Sequence, residues 1–220
     1  MNDTRPSEGR RRGNYRDRGT SAAVLEAACR QFTRLGFDGA SVDQIASVAG
    51  VTKATVYAKF GCKHDLYVAA IAHLLREFPS SKDLVPTSTL GAEAQLNAIA
   101  TRLLGLALQP QTRGFYRMLI VPMPSAPHAG RTFWEEIVLP YRNVICQVLS
   151  EADRKGELHV PAPEESASQF LGLVLGGPTL SVLLSASLPM SADAQLIHAA
   201  MISRLFAKGH APERQPIRTS

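Results

Sequence analysis

The 220-residue chain carries 24 Lys and Arg against 19 Asp and Glu, a formal net charge of +5 at pH 7. Hydrophobic residues make up 45% of it, too many for a disordered chain and enough for a core, and the length suits one large domain or two small ones. Cys29, Cys62 and Cys146 are an odd count without a CxxC pair, and no Cys/His cluster has metal-ligand spacing, so neither a disulfide framework, a metal nor a cofactor is expected.

Residues 1–19 hold Arg5, Arg10, Arg11, Arg12, Arg16 and Arg18 among Gly, Ser, Asn and Asp and are expected to form a flexible basic arm. Two readings of it stay open: an arm that follows phosphates or enters a minor groove, and a tail that aids solubility. No apolar run follows the arginines, so they do not read as a secretory signal. The longest apolar stretch, residues 170–188, is interrupted by Gly172, Gly176, Gly177, Pro178 and serines. It is not expected to span a membrane, and a cytoplasmic protein is expected. Residues 1–80 hold 12 Lys and Arg against 8 Asp and Glu, the remainder 12 against 11. The positive excess is therefore in the N-terminal part, as a polyanion-binding surface requires.

Ala23, Leu25, Ala27, Ala28, Phe32 and Leu35 recur at helical spacing and predict an amphipathic helix ending at Gly36. Two short helices joined by a tight turn follow within Ser41–Asp65. Ser41, with Gln44 three residues on, has capping-box spacing, and Val42, Ile45, Ala46 and Ala49 give the inner face. Gly50 stands where a left-handed residue ends a helix, Val51 plugs the corner, and Thr52 is a fresh N-cap. Val56 and Phe60 share the inner face of the second helix, leaving Lys53, Ala54, Thr55, Tyr57 and Lys59 outward. This is the arrangement of a helix-turn-helix, which presents the start of its second helix to a major groove. Lys63, His64 and Asp65 open a further helix. Cys62, before it, is either an inert loop cysteine or a thiol made reactive by the helix N-terminus.

Beyond residue 69 the chain reads as helices separated by Pro, Gly and Ser: to about Phe78, then about Leu90–Leu108, Gln111–Val121, Phe133–Arg154 with a kink or break expected at Pro140, Pro163–Leu188 and Ser191–Ala207. The helix from Pro163 is apolar on more than one side, with Leu175 and Leu183 among its residues, so a partner subunit is expected to cover it together with the last helix. The other reading is an intramolecular core helix. No GxSxG, P-loop, HExxH or Rossmann glycine pattern is present, and no enzyme is expected.

Gly36-Phe37, Ala40-Ser41-Val42, Ile45-Ala46, Ala49-Gly50-Val51-Thr52, Thr55-Val56-Tyr57, Phe60, and Lys63 with Leu66 together resemble the DNA-binding domain of the tetracycline-repressor (TetR) family of bacterial transcription regulators. The resemblance covers about residues 21–70. It implies an all-α fold: a three-helix helix-turn-helix domain (20–66), a larger helical ligand-binding and dimerisation domain (67–208) and a polar tail (209–220). It also implies a homodimer that binds a near-palindromic double-stranded DNA operator and releases it when a small, apolar or aromatic ligand enters. Lys53, Ala54 and Thr55 are the candidates for base contact, while Tyr57, Lys59 and Lys63 match family positions that hold the DNA backbone. The helix starts at Ser41 and Thr52 are placed to receive phosphates. Lys59 stands where relatives often have His or Tyr, Ala58 replaces a larger side chain, and His64 replaces a common Glu. The implied ligand lining is Phe115, Tyr116, Met118, Met123, Phe133, Trp134 and Tyr141, with Phe170 facing them; an ordinary hydrophobic core has the same composition. Arg117, His128 and Arg131 are candidates for polar specificity. A repressor is the main reading; a DNA-binding activator without ligand response, and a small-molecule-binding helical protein, remain as alternatives.

Overall fold

The computed structural model describes residues 8–86, 89–120, 129–184 and 190–212, with side chains from Gly19 onward. Among the described residues all regular structure is helical: α1 (Glu8–Gly39), α2 (Val42–Val48), α3 (Lys53–Phe60), α4 (Lys63–Arg76), α5 (Ala92–Ala107), α6 (Pro110–Ile120), α7 (Ala129–Phe133), α8 (Leu139–Arg154), α9 (Pro163–Leu183) and α10 (Ala192–Gly209). A 3-10 turn lies at Ser81–Leu84, in a segment expected to be loop, and a π-helical turn at Trp134–Val138. The chain divides into two compact units, Met1–Glu77 with Arg117–Ala129, and Phe78–Tyr116 with Gly130–Ser220. The first division thus falls after α4, not at residue 66, because the apolar face of α4 is spent on α1.

In the first unit Val24, Ala27, Ala28 and Phe32 of α1 are buried together with Leu66, Tyr67, Ala70 and Ile71 of α4. Phe32 and Phe37 meet the Tyr67 ring edge-on at 4.9 and 5.2 Å, and the Tyr67 hydroxyl donates to the Met118 carbonyl at 3.2 Å. Cys29 is buried there, and burial pushes its thiol up to about 11, so it behaves as a small apolar residue. Gly36 interrupts α1 with φ 71°, as its position in the sequence suggests. The helix begins earlier than expected. From Glu8 the arginine-rich stretch is helical, since no proline stands between Pro6 and the end of α1 and arginine is a good helix former. Arg5 lies outside the described residues.

The second unit packs α5 against α10 and α8 against α9. Its core holds Leu96, Ile99 and Leu104 of α5, Ile145 and Leu149 of α8, Phe170 and Val174 of α9, and Phe206 of α10, with the Phe170 and Phe206 rings 5.1 Å apart. Three prolines shape it. Pro110 opens α6 rather than preceding it, at a position where a missing N–H costs nothing. Pro140 does not break its helix. The turn before it widens to π geometry, with the Leu139 N–H reaching the Trp134 carbonyl. Pro178 lies inside α9 and leaves the Val174 carbonyl without its helical donor. His198 of α10 supplies one, Nε2 lying 3.1 Å from that oxygen, which fixes the proton on Nε2.

Helix α9 buries one face and leaves Leu173, Leu180 and Leu184 exposed; α10 leaves Leu196, Ile197, Met201 and Leu205 exposed. By length and mean hydropathy alone, 1.3 over its most apolar window, α9 is long and apolar enough to cross a membrane despite its glycines and proline. Its Phe170 and Val174 are nonetheless fully buried within the second unit.

Candidate nucleic-acid interface and ligand cavity

Helix α2 turns Val42, Ile45 and Ala46 inward. Ser41 has the extended backbone of an N-cap, but its hydroxyl makes no capping bond, so the expected Ser41–Gln44 box does not form; Asp43 supplies the negative charge in the first turn instead. At the other end Gly50, at φ 67°, completes a Schellman turn. Its N–H reaches the Ser47 carbonyl at 3.2 Å and the Val51 N–H reaches Ala46 at 3.0 Å. Thr52 caps α3 by accepting from the Thr55 N–H at 3.2 Å. Val56 alone of α3 is fully buried. Lys53, Ala54 and Tyr57 are exposed, while Thr55 and Lys59 are half-buried.

Several of these side chains are already engaged. The Lys53 ammonium donates to Asp43 Oδ2 at 2.9 Å, across from α3 to α2, and this bond raises the Lys53 pKa above its ordinary value. The Thr55 hydroxyl pairs with that of Thr52 at 2.9 Å. Lys63 stacks its ammonium 4.6 Å from the Phe37 ring centroid and donates to the Asp38 carbonyl at 3.5 Å, tying the start of α4 to the end of α1. Cys62 is the N-cap of α4. Its sulfur accepts from the Asp65 N–H at 3.5 Å and donates to Asp65 Oδ2 at 3.0 Å. Sequence reading missed Asp43, although an acidic residue in the first turn of α2, ten residues before Lys53, was the available signal.

Within the second unit lies a cavity of about 460 Å³, walled by Phe78, Leu103, Leu106, Tyr116, Phe133, Trp134, Ile137, Val138 and Tyr141 on one side and by α9 from Ser168 to Leu183 on the other. Four of the eight expected aromatic and methionine residues, Tyr116, Phe133, Trp134 and Tyr141, are in its wall. Three expected ones are not. Phe115 is buried behind it against Phe78 and Phe133, Phe170 is spent on Phe206, and Met118 is buried in the first unit, where its carbonyl meets Tyr67. Met123 and His128 lie outside the described residues, and Arg117 and Arg131 are exposed and absent from the lining. The π turn puts Trp134, Ile137 and Val138 on the wall together. Helix α9 was expected to contribute through Phe170; it does so instead through residues such as Leu171, Leu175 and Leu183, the last two of which were read as a pairing face.

Among the described residues, no lining side chain is charged. The Tyr141 hydroxyl is committed to the Pro79 carbonyl at 2.8 Å, and Ser168 to Glu164 at 3.0 Å. Thr179 Oγ1 is buried and has no hydrogen-bond partner among the described residues. Burial pushes the Tyr116 and Tyr141 phenols up to about 12, so both are neutral donors at physiological pH. The wall is therefore largely apolar, with Tyr116 among its few polar side chains.

Residues 24–70 match the family described as bacterial regulatory proteins, tetR family, and residues 94–209 match the C-terminal domain of AefR-like transcriptional repressors. The transcriptional regulator SrpR of Pseudomonas putida is 31% identical over 161 residues, 71% of this chain and 72% of the relative. A TetR-family regulator from Mesorhizobium loti superposes with a TM-score of 0.75 at 21% identity, covering 89% of this chain and 98% of that one. The flavonoid-responsive regulator FrrA superposes with a TM-score of 0.64 at 28% identity, covering 90% and 99%.

Proposed function

As the chain belongs to the TetR family and is a helix-turn-helix transcriptional regulator, we propose that it is a homodimeric repressor released from a near-palindromic operator by an uncharged aromatic ligand. The single observation that carries the ligand class is the 460 Å³ cavity with aromatic walls and no charged lining residue among those described. Excluding charge from a wall this apolar is strongly discriminating, since an unpaired ionic group would forfeit its hydration there. FrrA, a relative in fold and sequence, carries a flavonoid response in its name.

Tyr57 and Lys59 hold phosphates in this reading, Lys53, Ala54 and Thr55 face base edges, and the helix starts at Ser41 and Thr52 receive phosphate oxygens. Lys63, already bound to Phe37 and Asp38, contributes its remaining donors to the DNA backbone. The exposed apolar rows of α9 and α10 pair with their copies, which explains why Ile197 and Leu184 each remain 68% exposed in one protomer. Ligand in the cavity favours the form that cannot place both recognition helices on the operator, a bias set by its differential affinity for the two forms. Regulation is exerted where the DNA is, in the cytoplasm.

Trp134 is the only tryptophan and stands in the cavity wall, so its fluorescence reports occupancy. An uncharged flavonoid should quench it saturably, and Tyr116→Phe should weaken that binding. A long-chain acyl-CoA, with its charged phosphates, should not compete. Saturable binding of the acyl-CoA with no response to the flavonoid would reverse the assignment.

A further inference from the structure

Resting on the sequence-specific DNA binding proposed above, we infer that Asp43 is a positioning residue for operator choice: it holds Lys53 for base contact and keeps it from serving as a phosphate-binding charge. Lys53 is the first residue of α3, and the first turn of that helix contains no acidic residue. A cation there opposes the helix macrodipole, so Lys53 is not placed for the helix's own stability. Asp43, ten residues earlier on α2, lies 2.9 Å from its ammonium. Both side chains are well exposed, at 48% for Lys53 and 66% for Asp43, on the helix pair expected to meet the groove.

The pairing has two consequences. An ammonium carries three N–H donors, and Asp43 takes one, leaving two in a fixed direction for an acceptor pair on a base edge. The pair as a whole carries no net charge, so Lys53 does not neutralise a phosphate while it holds. Contacts that act on all sequences alike are thereby left to Lys59 and its neighbours, and Lys53 is reserved for discrimination. Thr52 and Thr55, joined hydroxyl to hydroxyl, hold the adjacent turn in place.

The test uses the full-length protein, an operator obtained by selection from random duplexes, and a scrambled duplex of equal length. Salt dependence is measured for wild type, Asp43→Asn, Asp43→Glu, Lys53→Ala and Asp43→Asn/Lys53→Ala. Asp43→Asn should raise affinity for the scrambled duplex several-fold and steepen the log-log salt slope by about one unit, as one more phosphate becomes neutralised. It should lower the ratio of operator to scrambled affinity, and Asp43→Glu should restore both toward wild type. Lys53→Ala should flatten the slope by about one unit in the Asp43→Asn background and by much less in wild type. Unchanged slope and ratio in Asp43→Asn, or equal weakening on both duplexes with intact circular dichroism, would overturn the proposal and leave DNA recognition standing. A wild-type chain that enriches no sequence would remove the DNA-reading premise and this proposal with it.

Discussion

Replacing His198 by Ala tests how α9 keeps a proline in its interior. Pro178 has no N–H, so the carbonyl four residues before it, that of Val174, lacks its helical donor. Val174 is fully buried, and His198 Nε2 stands 3.1 Å from the oxygen. Removing the imidazole strands a buried acceptor, at a cost of about 1–3 kcal/mol. Pro178→Ala restores a backbone N–H in register with Val174, so in that background the histidine is a second donor and not the sole one. His198→Ala should then cost less than about 0.5 kcal/mol beyond lost side-chain packing, giving a coupling of about 1–2 kcal/mol in the double-mutant cycle. Urea unfolding followed by far-UV circular dichroism measures the four stabilities at one fixed protein concentration, since dimerisation would add a concentration term. Equal costs of His198→Ala in the two backgrounds would refute the reasoning and reduce the contact to packing.

Gly50→Ala and Gly105→Ala should have opposite signs. A Cβ meets open space at both sites, but Gly50 sits at φ 67°, where a side chain costs about 1–2 kcal/mol, whereas Gly105 is helical and Ala there gains about 0.8–1 kcal/mol; hydrogen exchange of α3 amides should register the first and urea unfolding the second. Ile197→Glu and Leu184→Glu should give folded monomers by light scattering, because both side chains point outward in one protomer; dimers of unchanged affinity would place the interface elsewhere. The Tyr116 and Tyr141 phenols ionise near 12 when folded and at their ordinary value of 10 when unfolded, so the unfolded chain loses their protons first and stability should fall as pH rises from about 10 toward 12. Tyr116→Phe should make that decline shallower.

The helix-turn-helix was legible because its constraints are local. Gly50 must adopt a left-handed backbone, Thr52 must cap within three residues, and Val56 must point inward, and each requirement names a residue type at a fixed spacing. Ser41 shows the limit of that logic, since the spacing to Gln44 was right and the hydroxyl still makes no cap. The cavity was half legible. Aromatic residues between Tyr116 and Tyr141 suggested a wall, but composition does not say which ring faces a void. Phe115 and Phe170 are as aromatic as Phe133, yet they are fully buried while Phe133 reaches the void. Long-range pairing was least legible. Nothing in the local sequence of α10 tells that His198 completes α9, or that Lys63 is held by Phe37 across 26 positions of chain. Pro140 was expected to kink or break a helix, and the π turn it produces is the third way of losing one hydrogen bond.

The central claim is that one dimer couples an apolar cavity to an operator, and fluorescence anisotropy of the selected operator under ligand titration tests it most directly. Two chains should bind each duplex. Saturating the cavity with the compound that quenches Trp134 should weaken operator binding by about 5–150-fold, the range of ordinary allosteric coupling. The operator should, reciprocally, weaken that compound's binding by the same factor. Operator affinity that stays unchanged while the Trp134 signal shows the cavity full would contradict the account.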